Sequence, residues 1–155
     1  MKYRFNVIES PFGPLSPGVD ETGALAWIEF GAIEASKDRV YDPSATEEVD
    51  RQLREYFDRK RDRFDLRLAP QGTAFQQRVW NILVEIPFGV TRTYGDLAKE
   101  IGNPNASRAV GRANATNPIP IVVPCHRVIG TNGTLTGYAG GLGMKEGLLK
   151  FERAL

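Results

Sequence analysis

Apolar and polar positions change rhythm near residue 70. Before it, two short runs mix β-branched and aromatic residues, 3–9 and 25–30, and Gly and Pro stand between them. This pattern predicts strands joined by turns. From Thr46 to about Lys60, Val49, Leu53 and Tyr56/Phe57 fall on one stripe among charges, which predicts a helix. Thr46 is placed to cap it, and Glu47 and Glu48 suit the positive end of its dipole. Phe64, Leu66 and Leu68 then alternate with Asp65 and Arg67 as a strand would. Ala69-Pro70-Gln71-Gly72 reads as a junction between an N-terminal α/β domain, 1–70, and a second domain, 71–155.

Beyond the junction the period becomes helical. Phe75, Val79, Leu83 and Ile86 recur at helical spacing, and Pro87-Phe88-Gly89 stops that helix. Thr93, with Asp96 three residues on, predicts a capped helix to about Ile101, ended by Gly102. Asn103-Pro104 reads as an N-cap with proline at the first helical position, opening a helix to about Asn114. Two short helices around a tight Gly-containing turn predict a helix-turn-helix. The expected fold is therefore an α/β N-terminal domain plus a mostly α C-terminal domain of winged-helix-like type. The second helix carries Arg108 and Arg112 on one face. Its small residues, Ala106, Ser107, Ala109, Gly111 and Ala113, permit close approach to a DNA groove. An ordinary helical hairpin with solvated arginines explains the same pattern.

Composition narrows the classes. At 41% hydrophobic and 25% charged residues, the chain is not disordered. No apolar run is long enough to span a bilayer, and the N-terminus has no apolar signal region. A cytoplasmic protein with no membrane partner is expected. One Cys and one His exclude an intramolecular disulfide and a Cys/His zinc site, so neither metal nor cofactor is expected. Residues 1–70 carry a charge balance of −3 and residues 71–155 one of +4, so the basic excess lies in the second half.

The only thiol and the only imidazole are neighbours. The apolar run 118–124 predicts a buried extended segment delivering Cys125, followed by His126 and Arg127. A thiol is a weak nucleophile until deprotonated, and a nearby base or cation favours the thiolate. A buried structural Cys beside a hydrogen-bonded His is the plainer reading of that pair. Gly137-Tyr138-Ala139-Gly140-Gly141-Leu142-Gly143 suits a loop approaching a flat ligand that Tyr138 walls, or a plain surface loop. A last helix, 144 to about 153, carries Leu148, Leu149 and Glu152. Taken alone, Glu152 reads as a solvated acid and Tyr94 as an amphipathic side chain.

Several stretches together go further: Gly72-Thr73-Ala74-Phe75-Gln76-Gln77-Arg78-Val79-Trp80, Ile86-Pro87-Phe88-Gly89, Ser107-Arg108-Ala109-Val110-Gly111, Asn117-Pro118, Pro124-Cys125-His126-Arg127-Val128 and Gly137-Tyr138-Ala139-Gly140-Gly141-Leu142. In this order they resemble the O6-alkylguanine-DNA alkyltransferases, the methylated-DNA–protein-cysteine methyltransferases. The resemblance spans nearly all of 72–155 and is looser before it. It implies direct, single-turnover repair of alkylated guanine in double-stranded DNA by a monomer, with Cys125 as alkyl acceptor. It implies His126 as the base acting through water, Glu152 as its orienter and Asn117 as a brace for the turn. Tyr94 would rotate the nucleotide and protonate the leaving guanine. Arg108 would enter the base stack, beside Ser107, Ala109 and Arg112 on the DNA-binding helix. Tyr138, Ala139 and Val128 would form the base pocket. Ala139 stands where the family often has serine, and only its backbone N–H is needed there. A non-catalytic lesion-binding protein is the main alternative, and relatives of that kind replace the acceptor cysteine. A helix-turn-helix regulator leaves the Cys-His-Arg segment unexplained.

Overall fold

The computed structural model describes residues 1–155. The chain divides into two compact units, Met1–Gln71 and Gly72–Leu155.

The first unit is built on a four-stranded sheet. Its strands are β1 (Tyr3–Phe5), β2 (Leu15–Val19), β3 (Leu25–Phe30) and β4 (Arg39–Tyr41), in the order β3-β2-β1-β4. β1–β2 and β2–β3 are antiparallel and β1–β4 is parallel. β3 occupies the predicted run. The run 3–9 is strand only to Phe5, with Ile8 bridging singly to Leu15. β2 escapes the pattern because it contains Pro17 and Gly18, residues that usually argue against a strand. Gly18 is required there, since a Cβ would lie 2.3 Å from the Trp27 ring across the ladder. β4 exposes Val40 and Tyr41 and so shows no apolar alternation.

Helix α1 (Glu47–Phe57) buries Val49, Leu53 and Tyr56 against the first unit's core. Thr46 does not cap it. The Thr46 hydroxyl donates instead to Asp50 Oδ2 at 2.8 Å, and Asn6 Nδ2 donates to the same oxygen at 2.8 Å. The alternating stretch 64–68 is not a strand, apart from one bridge between Leu25 and Leu68. The Gln52 side chain takes both backbone groups of Asp65, accepting from its N–H at 2.9 Å and donating to its carbonyl at 3.0 Å. A backbone satisfied that way has nothing left for a ladder at that residue.

The second unit is mainly helical. Helix α2 (Ala74–Val84) opens with a capping box between Thr73 and Gln76 and buries Val79, Trp80 and Leu83. β5 (Arg92–Thr93) leads into α3 (Tyr94–Ile101), where Thr93 and Asp96 form the expected capping box and Gly102, at φ 91°, ends the helix. Helix α4 (Ser107–Ala115) packs against α2 and α3, and Trp80 Nε1 donates to the Ala113 carbonyl at 2.8 Å. α4 begins later than the Asn103-Pro104 pattern predicts. The Asn103 side chain accepts from Asn105 N–H at 3.1 Å and its carbonyl accepts from Ala106 N–H at 2.9 Å, making a turn between helices rather than a cap.

The apolar run before Cys125 is buried but not extended. Val122 N–H donates to Pro120 O at 2.8 Å, Val123 N–H to Ile119 O at 2.9 Å, and Ile121 sits at φ 73°. Pro118, Pro120 and Pro124 have no N–H for a ladder, so this segment closes into turns. A 3-10 turn, Cys125–Arg127, follows and continues into β6 (Val128–Ile129), which pairs in parallel with β5. The last helix is α5 (Leu142–Phe151), and Glu152 stands at its C-cap. No helix is long and apolar enough to cross a membrane.

Candidate functional site

The 3-10 turn buries its three side chains: Cys125 is 5% exposed, His126 0% and Arg127 5%. The chain fixes that turn from three sides. Asn117 Nδ2 donates to Val123 O at 2.8 Å, and its Oδ1 accepts from Ile119 N–H at 3.0 Å, which pins the segment entering the turn. Asn114 of α4 donates to the Cys125 carbonyl at 3.3 Å. The β5–β6 pairing holds the exit and ties it to the base of Tyr94.

Glu152 organises the rest. Its Oε2 lies 2.9 Å from His126 Nε2, and Arg127 donates through Nε to Oε1 at 2.7 Å and through Nη2 to Oε2 at 2.8 Å. Arg127 Nη1 donates to the Ile86 carbonyl at 2.6 Å, and its guanidinium stands 5.8 Å from the Phe88 ring centre. Burial alone would raise the Glu152 pKa. The hydrogen bonds and charges of Arg127 and His126 outweigh burial and hold it at about 2. An ionised carboxylate only accepts, so the proton on neutral His126 must sit on Nε2. Nδ1 is then a lone pair, and it is buried with no protein hydrogen bond. Burial also lowers the His126 pKa, against the pull of Glu152, so the ring rests neutral. Burial pushes the Cys125 thiol up to about 11, while Asn117 and Lys145 pull the other way. The resting pair is a protonated thiol and, on the next residue, a neutral imidazole with one free acceptor; no hydrogen bond joins the two side chains, so a proton passes from sulfur to nitrogen only through a bridging water.

Lys145 and Asn114 were not legible as site residues. Lys145 is fully buried, donates to the Thr136 carbonyl at 2.8 Å, and burial lowers its pKa to about 8 against the charge of Cys125. Its signal was a cation on the apolar stripe of α5, in phase with Leu148, Leu149 and Glu152. Glu152 itself is 1% exposed, so it is no solvated acid.

Outside the turn, α3, α4 and the loop after β6 line an open cavity of about 550 Å³, walled by Tyr94, Ser107, Arg108, Arg112, Thr131 and Thr136 among others. The Tyr94 and Thr136 hydroxyls are 2.9 Å apart. Four residues expected at the DNA surface or base pocket lie outside this wall. Ala109 is half-buried on α4, one residue round from the lining face of Ser107, Arg108, Gly111, Arg112 and Ala115. Val128 is fully buried in β6 opposite Arg92. Half-buried Tyr138 and exposed Ala139 follow Gly137, the last lining residue of their loop.

The ion-pair network makes the fold acid-sensitive. The Glu152 pKa is depressed from 4.5 to about 2, so its stabilisation is complete above pH 4.5 and is lost as pH falls through about 2. That amounts to about 3 kcal/mol for a buried group. His126, buried neutral, adds loss of the same sign below its ordinary 6.5. Urea unfolding at stepped pH should show stability falling from near pH 6 downward, with the steepest part below 4.5. A flat profile from pH 6 to 3 would refute the assigned charge states.

A family model described as 6-O-methylguanine DNA methyltransferase, DNA binding domain, matches residues 74–154. The methylated-DNA–protein-cysteine methyltransferase of Methanosarcina acetivorans is 54% identical over 152 residues, covering 96% of this chain and 97% of its own length. That of Mycobacterium tuberculosis is 44% identical over 153 residues, covering 97% and 92%. The solved structure of Mycobacterium tuberculosis OGT in complex with DNA superposes with a TM-score of 0.90 at 44% identity, covering 97% of this chain and 93% of that one.

Proposed function

The chain belongs to the 6-O-methylguanine DNA methyltransferase family, and on that premise we propose that it repairs DNA by moving an alkyl group from the O6 oxygen of guanine onto its own Cys125, once per chain. The observation that carries this reading is the His126–Glu152 pair, which leaves Nδ1 as a buried, unprotonated acceptor on the residue that follows the only thiol. The thiol proton passes to His126 Nδ1, with a water bridging where the side chains do not meet. The thiolate attacks the alkyl carbon, the carbon–O6 bond breaks, and the guanine leaves with a proton supplied by Tyr94. The product is a thioether, and no neighbouring group offers a route to cleave it.

Helices α3 and α4 act as a helix-turn-helix, with α4 presenting Ser107, Arg108 and Arg112 to double-stranded DNA. The target nucleotide leaves the stack, which costs a few kcal/mol. Arg108, exposed on the cavity rim, fills the gap. Tyr138 and Ala139 contribute to base binding once the loop after β6 meets the flipped base, and Val128, buried in β6, backs the pocket from behind. The protein acts as a monomer on alkylated guanine. Incubating it with duplex DNA containing O6-methylguanine and weighing the intact protein tests the reading: one added methyl group per chain, on Cys125, is expected, and an unmodified chain overturns it.

Arg108→Ala separates flipping from chemistry. It should slow repair in duplex DNA by about tenfold or more, since an arginine in the stack offsets part of the unstacking cost. Reaction with free O6-benzylguanine, which needs no flipping, should stay within about twofold. Equal losses on the two substrates would count against the role.

A further inference from the structure

The loop after β6 contributes one residue that is hydrogen-bonded both to Tyr94 and to the buried Lys145. The Thr136 hydroxyl lies 2.9 Å from the Tyr94 hydroxyl, and the Thr136 carbonyl accepts from Lys145 Nζ at 2.8 Å. Lys145 is fully buried, and its charge acts on the Cys125 thiol. Its ammonium grips the backbone of Thr136, and a β-branched side chain has few rotamers, so the hydroxyl is aimed rather than merely near. Either oxygen can donate in the pair. If Thr136 donates, the Tyr94 oxygen is satisfied as an acceptor and its own hydrogen is free. Accepting a hydrogen bond also makes that O–H a stronger donor.

We propose that Thr136 is a positioning residue for the leaving-group step, holding the Tyr94 hydroxyl so that its proton points into the cavity toward the departing base. The inference rests on the role given to Tyr94 above. It assigns the two polar groups of Thr136 separate tasks: the carbonyl fixes Lys145 on the sulfur side, and the hydroxyl fixes Tyr94 on the base side.

Thr136→Val removes the hydroxyl and keeps both shape and carbonyl, and the side chain is exposed, so folding is not at stake. With free O6-benzylguanine at saturation, Thr136→Val should lose about tenfold in transfer rate, the scale of one hydrogen bond, and Thr136→Ser should recover it. The rate of Cys125 alkylation by iodoacetamide against pH should not move, because the Lys145 contact survives. In a Tyr94→Phe background the Thr136→Val loss should disappear, since the two groups act as one unit. A Thr136→Val rate equal to wild type, or a loss undiminished in Tyr94→Phe, would overturn the proposal while leaving the acceptor role of Cys125 intact. A Tyr94→Phe rate equal to wild type would overturn it too, by removing the role of Tyr94. A wild-type chain that gains no alkyl group would instead sink the function itself.

Discussion

Cys125→Ser is expected to bind duplex DNA as tightly as wild type and to take up no alkyl group from it. The substitution exchanges sulfur for oxygen on a side chain that is 5% exposed, in a turn held by Asn114, Asn117 and the β5–β6 pairing. The bonds that hold the turn run to backbone groups, and a serine hydroxyl can keep the contact Asn117 makes with the thiol, so the turn and α4 stay in place. The chemistry does not survive. An imidazole whose pKa lies below its ordinary value cannot pull a proton from an aliphatic hydroxyl toward a carbon electrophile at a useful rate. A loss of at least about a thousandfold is expected, and in practice no product. Fluorescence anisotropy with lesion-containing duplex measures the binding, and intact-protein mass measures the transfer. Alkyl found on the Ser variant, or wild type turning over repeatedly with Cys125 unmodified, would reject the acceptor assignment.

Glu152→Gln should give the next largest effect, and it should depend on pH. The wild-type carboxylate only accepts, so it holds the His126 proton on Nε2 and leaves Nδ1 as the base. A glutamine amide can donate to Nε2, driving the proton to Nδ1 and blocking the base. It also leaves the buried Arg127 without its counter-charge, which costs about 3–5 kcal/mol, so folding must be checked by melting before rates are compared. With free O6-benzylguanine, the neutral-pH transfer rate should fall about a hundredfold, the low end of what a general base contributes. Raising the pH should recover much of that, as hydroxide forms the thiolate without His126. Wild type should rise with pH through the coupled titration of Cys125 and His126, whose apparent values belong to the pair. An unchanged neutral-pH rate in a folded Glu152→Gln protein would make Glu152 a partner of Arg127 alone.

Local signals were legible where residues answer to their sequence neighbours. The Thr93–Asp96 capping box and β3 are examples, because cap and strand are set within a few positions. Several misses share a cause: a side chain takes over a group that the local pattern assigns elsewhere. Gln52 satisfies Asp65 and prevents a strand, Asp50 takes the Thr46 hydroxyl from its cap position, and Asn103 closes a turn where a helix start was read. At the site, the adjacency of Cys125 and His126 was plain in the sequence. The partners that set their charge states were not all so plain. Arg127 bonds to Ile86, 41 positions away, and Lys145 reaches the site only through the fold. A buried cation looks in sequence like any other lysine until its stripe is compared with its neighbours.

Ile121 carries a consequence for how such a protein can be improved. It is a β-branched residue at φ 73° in the turn before the thiol, and it is 1% exposed. Left-handed backbone at such a residue costs about 1–3 kcal/mol. Glycine would relieve that cost but would forfeit the buried side chain, worth about 2–5 kcal/mol when truncated. Over most of those ranges packing outweighs strain, so Ile121→Gly brings no gain. Under directed evolution for heat resistance, lineages would gain at exposed sites elsewhere and inherit Ile121 unchanged. The geometry that aims the nucleophile is thus shielded from selection for robustness, and catalytic posture and thermal tolerance can drift as separate traits.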